Sequence, residues 1–232
     1  MVRKEVNFKR NTICWICFVG AIFCLQAQHN KKVDSLGRPS NFQDKVAQFR
    51  MFPNSSLDII FLGNSITAGT QWNELLDMDN AVNRGISGDT TFGVLERLDE
   101  ITEGKPAKIF ILLGINDLAR NIPNDIILRN YKGIIDRIRK ESPSTQIYVQ
   151  TILPVNGNFK RFVNHYNKAA SIAKVNRGLR TMTEQKQVHL IDLHTHFLDD
   201  HGRLDIQYTN DGLHLTAKGY RMWEELLQPF LP

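Results

Sequence analysis

Apolar residues in this chain fall into short runs that alternate with stretches of helical spacing. The first clear run is LDIIFLG, Leu57 to Gly63, short and rich in Ile, Leu and Phe, which predicts a buried strand closed by Gly63. Asn64 and Ser65 then stand in a turn before a helix-like segment running through Leu75 and Leu76. Asp79 to Ile86, DNAVNRGI, predicts a second short strand leading into SGDTT, and Thr91 to Leu98 opens a second helix. AKIFILLG, from Ala107, is the clearest buried strand, and Asn116 and Asp117 follow it in the loop GIND. Pro123 opens a helix to about Lys140, with Ile126, Ile127, Ile134, Ile135 and Ile138 on one side. SPST turns into the strand QIYVQTI, Phe162 to Met182 has a long helical pattern, VHLIDL predicts a fifth strand, and Thr216 to Leu227 predicts a terminal helix. Upstream, Phe42, Val46, Phe49 and Met51 predict a short helix ended by Pro53.

Strands alternate with helices throughout, and most strands are apolar along both faces. That pattern predicts a parallel sheet covered by helices on each side. Right-handed crossovers then make a doubly wound, three-layer α/β/α sandwich the economical topology. The 232 residues suit one domain with a single sizeable core, and no internal repeat or low-complexity segment interrupts it.

Charge and cysteine content alter this picture at the N-terminus. Arg3, Lys4, Lys9 and Arg10 precede an apolar run from Ile13 to Leu25, and Ala27 supplies a small residue for cleavage. This is the layout of a secretory signal peptide over residues 1–27, with a run short for a membrane span. A lipid anchor on Cys24 is the weaker alternative, because bulky Phe23 precedes it. Residues 28–56 then form a polar leader and the short helix, and residues 57–232 the main domain. Loss of residues 1–27 removes four basic side chains and Glu5, so the net charge falls from +5 to +2. The basic balance is therefore largely a targeting feature and gives no electrostatic case for nucleic acid. All three cysteines, Cys14, Cys17 and Cys24, leave with the segment, which excludes a disulfide scaffold, a Cys nucleophile and a thiolate metal site.

GNSIT, ISGDT and GIND each follow a predicted strand and so should meet at one edge of the sheet, where open α/β folds place their chemistry. DGLH lies just before the last helix. A Ser at a strand-to-helix turn is commonly only an N-cap. Ser65 becomes a nucleophile candidate because His214 is available as the base that a hydroxyl needs near neutral pH. Asp211, three residues before it, is close enough on one turn to orient the imidazole. An oxyanion needs donors: the N–H groups of Ser65 and Gly88 and the side-chain amide of Asn116 supply a set.

The four blocks resemble the SGNH hydrolase (GDSL-like esterase/lipase) family, named for the Ser, Gly, Asn and His carried here by Ser65, Gly88, Asn116 and His214. NRGISGDTTFGVLERL and DGLHLTAKGY are most similar to the branch containing the catalytic subunits of platelet-activating-factor acetylhydrolase. The resemblance spans about Leu57 to Leu231 and implies a five-stranded, flavodoxin-like parallel sheet and a metal-free Ser-His-Asp esterase without a cofactor. The sequence departs from the family pattern at Asn64, which stands where the first block usually has Asp. GNSIT also lacks the second glycine of the G-x-S-x-G elbow, which separates the chain from the other common serine-hydrolase fold. His189, His194 and His196 carry no supporting metal motif, and Trp72 and Trp223 fit helix packing better than a substrate platform.

These features predict an exported esterase, periplasmic or secreted, that hydrolyses a small acyl ester, acetyl above all, on a carbohydrate. The partner is an ester substrate, with no nucleic acid and no stable membrane span after signal cleavage. A lysophospholipase or thioesterase for longer chains is the rival within the class. A non-catalytic carbohydrate-binding protein is the rival outside it, and would be expected to lack at least one of the site residues.

Overall fold

A computed structural model of the chain describes residues 37–232. The signal peptide expected over residues 1–27, with Cys14, Cys17 and Cys24, lies outside them. A compact unit runs from Arg38 to Pro232. Its elements in order are α1 (Phe42–Met51), β1 (Ile59–Gly63), α2 (Ser65–Ala68), α3 (Trp72–Leu76), β2 (Ala81–Gly85), α4 (Thr91–Glu96), α5 (Leu98–Thr102), β3 (Lys108–Leu112), α6 (Ile115–Ala119), α7 (Asn124–Glu141), β4 (Gln146–Gln150), α8 (Ala169–Lys186), β5 (His189–Ile191) and α9 (Ala217–Leu227).

The five strands form one parallel sheet in the order β2-β1-β3-β4-β5. This is the doubly wound, flavodoxin-like order, and the three-layer α/β/α expectation holds. The chain leaves β1 outward to β2 and returns on the other side at β3. With right-handed crossovers, that reversal puts α2, α3 and the terminal α9 on one face, and α4, α5, α7 and α8 on the other. A crevice opens where the direction reverses, between the carboxyl ends of β1 and β3.

One face is held by a row of rings. Phe61, Phe110, Tyr148 and His189 are register partners across β1, β3, β4 and β5. They stack at centroid separations of 5.1, 4.5 and 4.7 Å. Trp72 stacks on the free side of Phe61 at 3.8 Å, and Trp223 meets Trp72 edge-on at 4.8 Å. Both tryptophans are fully buried and packed, and each indole N–H has an acceptor, Thr67 O and Gln150 Oε1. Against the opposite face, the Ile stripe of α7 is buried as its spacing requires.

Three local expectations are corrected. The segment after Ser65 is two short helices, because the chain is interrupted at Gly69 and Thr70. Asn116 and Asp117 lie in the first turn of α6 instead of a loop, with Gly114 as its cap at φ 110°. The helix expected from Phe162 begins only at Ala169. Residues 160–168 are irregular because the Tyr166 hydroxyl accepts the N–H groups of Arg161 and Phe162, while Lys160 and Asn167 take left-handed backbone angles.

Phe110 is at the centre of the ring row and fully buried. Phe110→Ala should lower unfolding free energy by about 3–5 kcal/mol in urea titrations, the usual cost of an aromatic-sized core deletion.

Candidate active site

Gly63 ends β1 where no side chain fits: a Cβ there would lie 2.0 Å from Thr67 Oγ1 and 2.7 Å from the Leu112 carbonyl. The chain thus turns tightly into Asn64, whose Oδ1 accepts the Ile66 N–H at 3.0 Å and caps α2. Asn in place of the usual Asp keeps the cap. Its Nδ2 is buried without a partner among the described residues. Ser65 is the first residue of α2, so its N–H has no intrahelical acceptor. The helix is pinned from the far side by the Tyr220 hydroxyl of α9, which donates to the Ile66 carbonyl at 2.8 Å.

Ser65 Oγ lies 3.0 Å from His214 Nε2, and His214 Nδ1 lies 2.8 Å from Asp211 Oδ2. The second Asp211 oxygen accepts the N–H groups of Leu213 and His214 at 2.9 and 2.8 Å, folding the DGLH turn around the carboxylate. Burial works to raise the Asp211 pKa, but these donors and the imidazole outweigh it and hold the carboxyl below its ordinary value. An ionised Asp211 fixes the tautomer in which His214 Nδ1 donates and Nε2 is left to accept the Ser65 proton.

The oxyanion candidates follow the ends of β2 and β3. Gly88 takes φ 79°, a left-handed angle that suits glycine, and no acceptor among the described residues takes its N–H. Its carbonyl accepts Arg120 Nη2 at 3.0 Å. Asn116 is 7% exposed; its Nδ2 donates to the Asp89 carbonyl at 2.9 Å, leaving a second N–H of the amide. The structure therefore brings Ser65, Gly88, Asn116, Asp211 and His214 to the carboxyl edge of the sheet. His189, His194 and His196 lie apart from them: His189 belongs to the ring row, and the His194 Nδ1 contacts the Ile152 carbonyl at 2.9 Å. Among the described residues, no group of three His, Cys, Asp or Glu could hold a metal ion.

Charges that the sequence did not single out support this edge. Arg97 Nε binds Asp89 Oδ2 at 3.0 Å and Nη1 binds Glu100 Oε1 at 2.9 Å, while Glu100 Oε2 binds Arg84 Nε at 3.2 Å. All four side chains are buried. Burial raises the pKa of Asp89 and Glu100 against the pull of Arg97. Deeper still, Asp117 accepts the Thr91 hydroxyl at 2.6 Å and N–H at 3.1 Å, and Asn130 Nδ2 donates to that hydroxyl at 2.9 Å.

His165, Phe162 and Tyr166 were also missed. His165 Nε2 lies 3.0 Å from Asn116 Oδ1, and Phe162 meets His214 edge-on at 5.1 Å. Tyr166 donates to the Asp211 carbonyl at 2.8 Å. The two asparagines in NHYN, both turn formers, were the available signal against a helix here.

The profile of the GDSL-like Lipase/Acylhydrolase family matches residues 61–222. The chain belongs to this family. It is 31% identical over 170 residues to subunit alpha2 of Platelet-activating factor acetylhydrolase IB of Homo sapiens, covering 70% of this chain and 71% of that protein. A Streptococcus agalactiae N-acylneuraminate cytidylyltransferase is 26% identical over 187 residues, covering 81% of this chain and 41% of that longer protein. The solved GDSL-like lipase of Bacteroides thetaiotaomicron superposes with a TM-score of 0.71 at 21% identity, covering 82% of this chain and 96% of that one, a likeness of fold. Membership makes this chain an acylhydrolase, a carboxylic ester hydrolase acting on a small-molecule ester. Among the described residues, no helix is long and apolar enough to cross a membrane.

Two stability measurements test the supporting charges. Arg97→Met should cost about 3–5 kcal/mol in urea unfolding, because it leaves Asp89 and Glu100 as buried charges without their main partner. Burial pushes the Asp117 pKa from 3.8 up to about 6. Between those values the folded chain binds more protons than the unfolded one, so this group's contribution to stability falls as pH rises. Asp117→Asn removes that slope: from pH 4 to 7 the mutant should gain on the wild type by up to about 3 kcal/mol.

Proposed function

We propose that this acylhydrolase is an exported serine esterase that removes acetyl groups from oxygen esters on a carbohydrate. The observation that carries the reading is the unbroken hydrogen-bond chain from Ser65 through His214 to Asp211. Ser65 Oγ attacks the ester carbonyl as its proton passes to His214 Nε2. Asp211 stabilises the imidazolium, and the N–H groups of Ser65, Gly88 and Asn116 receive the oxyanion. Collapse breaks the bond to the sugar oxygen, which takes the proton from His214 and leaves as the hydroxyl. Water, deprotonated by His214, then attacks the acyl-enzyme and releases the acid and Ser65.

Support for acetyl comes from a small cavity walled by residues adjacent in sequence to the site. A cavity of about 10 Å³ is lined by Ile66, Ile115 and Leu213, the sequence neighbours of Ser65, Asn116 and His214, with Leu112, Ile152 and Leu153 behind them. That space is on the order of one water-sized or methyl-sized group. The walls are mostly buried residues of α2, the end of β3, the segment after β4 and the DGLH turn, close-packed as core is. The name of the acetylhydrolase relative agrees with this chain length. For the alcohol side, the cytidylyltransferase relative is named for an acylated acidic sugar, which favours an O-acetylated sugar as substrate. Export rests on the basic-then-apolar segment before Ala27.

The test is hydrolysis of p-nitrophenyl esters from acetate to palmitate. The expected result is a peak at acetate, abolished by Ser65→Ala. Activity rising towards palmitate would replace this reading with the long-chain lipase or thioesterase one, and undiminished activity of Ser65→Ala would remove the nucleophile assignment. A coupled assay on O-acetylated sialic acid and acetylated xylan then identifies the sugar.

A further inference from the structure

The Asn116 amide is useful to an oxyanion only in one of its two orientations. With Nδ2 facing the site it donates; turned by 180°, it would present a carbonyl oxygen to a developing negative charge. Two contacts bear on the choice. The Asp89 carbonyl, 2.9 Å from Nδ2, can only accept, so nitrogen must face it. On the other side, Oδ1 lies 3.0 Å from His165 Nε2.

We propose that His165 is a positioning residue for the oxyanion site: its Nε2–H donates to Asn116 Oδ1, locks the amide with its N–H towards the substrate carbonyl and polarises it. This inference rests on the acyl-transfer reading above and goes beyond it, since His165 belongs to none of the blocks from which that reading came.

The placement of His165 is built. Its segment departs from the helix expected there because Tyr166 ties the Arg161 and Phe162 N–H groups to its hydroxyl and reaches the Asp211 carbonyl. The Phe162 ring stands edge-on to both His165, at 5.9 Å, and His214, at 5.1 Å. His165 is half-buried, and burial, followed by the neighbouring His214, Lys168 and Arg120, lowers its pKa. The ring is thereby kept neutral beside the place where the His214 imidazolium must form, and the neutral Nε2–H tautomer is the one that serves Asn116. A cation at the same position would supply the same hydrogen bond but oppose proton uptake by His214.

A purely packing role would make any substitution of similar bulk tolerable and would not couple to Asn116. The experiment is therefore a double-mutant cycle on p-nitrophenyl acetate hydrolysis with His165→Leu, Asn116→Ala and the pair, together with His165→Gln, whose amide nitrogen reaches roughly as far as Nε2. Melting curves of each variant establish that it is folded. His165→Leu should lower kcat about tenfold with KM within about twofold, a fraction of the 10²–10³ that a whole oxyanion donor supplies. His165→Gln should recover most of that loss. In the Asn116→Ala background His165→Leu should change kcat by less than about twofold, because the two residues act through one interaction. An equal loss in both backgrounds, a loss confined to KM, or no rescue by Gln would overturn the inference while leaving the esterase reading intact. Undiminished kcat for Asn116→Ala would overturn the oxyanion assignment itself, and this inference with it.

Discussion

The arrangement at the sheet edge depends on one buried guanidinium. Arg97 Nη2 lies 2.8 Å from the Arg84 carbonyl and 3.4 Å from that of Gly63, so it reaches the last residues of both β2 and β1. Its other nitrogens hold Asp89 and Glu100. An arginine suits this position because its planar fork offers several fixed donors and keeps its charge when desolvated. The cost of burying that charge is offset only if every donor finds a partner, which makes the geometry strict. Asp89 follows Gly88, and its carbonyl holds Asn116. One side chain therefore sets where β1 ends at the nucleophile turn, where β2 ends, and where both oxyanion candidates stand.

That dependence explains why the sheet edge was legible in the sequence and its scaffolding was not. Buried parallel strands are apolar on both faces, so LDIIFLG and AKIFILLG announced themselves, and the order of strands and helices left little choice of topology. The candidate site was legible because Ser65, Gly88 and Asn116 follow strands that must be parallel, and His214 sits one turn after Asp211. Arg97 and Glu100, by contrast, are charged residues in helix-like surroundings and Asp89 stands in the SGDTT turn, patterns that ordinarily mark solvated surface. Only the three-dimensional placement of one against another shows that they are buried. His165 was hidden for the opposite reason: apolar Phe162 and Val163 gave its segment a helical appearance, although Val163 is 70% exposed and Phe162 packs at the site.

The site has two halves with different supports. Ser65, Gly88 and Asn116 hang directly from strand ends, where sheet hydrogen bonds and the Arg97 contacts fix them. Asp211 and His214 come from an irregular stretch framed by the Asp211 carboxylate and the Thr209 hydroxyl, which accept the turn's own N–H groups, and by the Asn156 N–H, which donates to the Gly212 carbonyl. Short-lived opening of such a stretch would separate His214 from Ser65 long before the sheet changed. Tyr166 closes that gap, since one hydroxyl holds the backbone of residues 161–162 and the Asp211 carbonyl together.

Segment 160–168 is therefore a bracket across the two halves. It touches His214 through Phe162, the Asp211 turn through Tyr166, and Asn116 through His165. Rate acceleration by fixed dipoles requires that donors and base hold their relative positions before the charge develops, since reorganisation during reaction forfeits the gain. The Asp89 carbonyl on one side and the Asn156 N–H on the other hold Asn116 and the DGLH turn separately, and residues 160–168 join the two. A regular helix over these residues would have spent the Phe162 and Tyr166 side chains on core packing. The interruption before Ala169 is what lets Phe162, His165 and Tyr166 each reach a different one of His214, Asn116 and Asp211 from one short stretch.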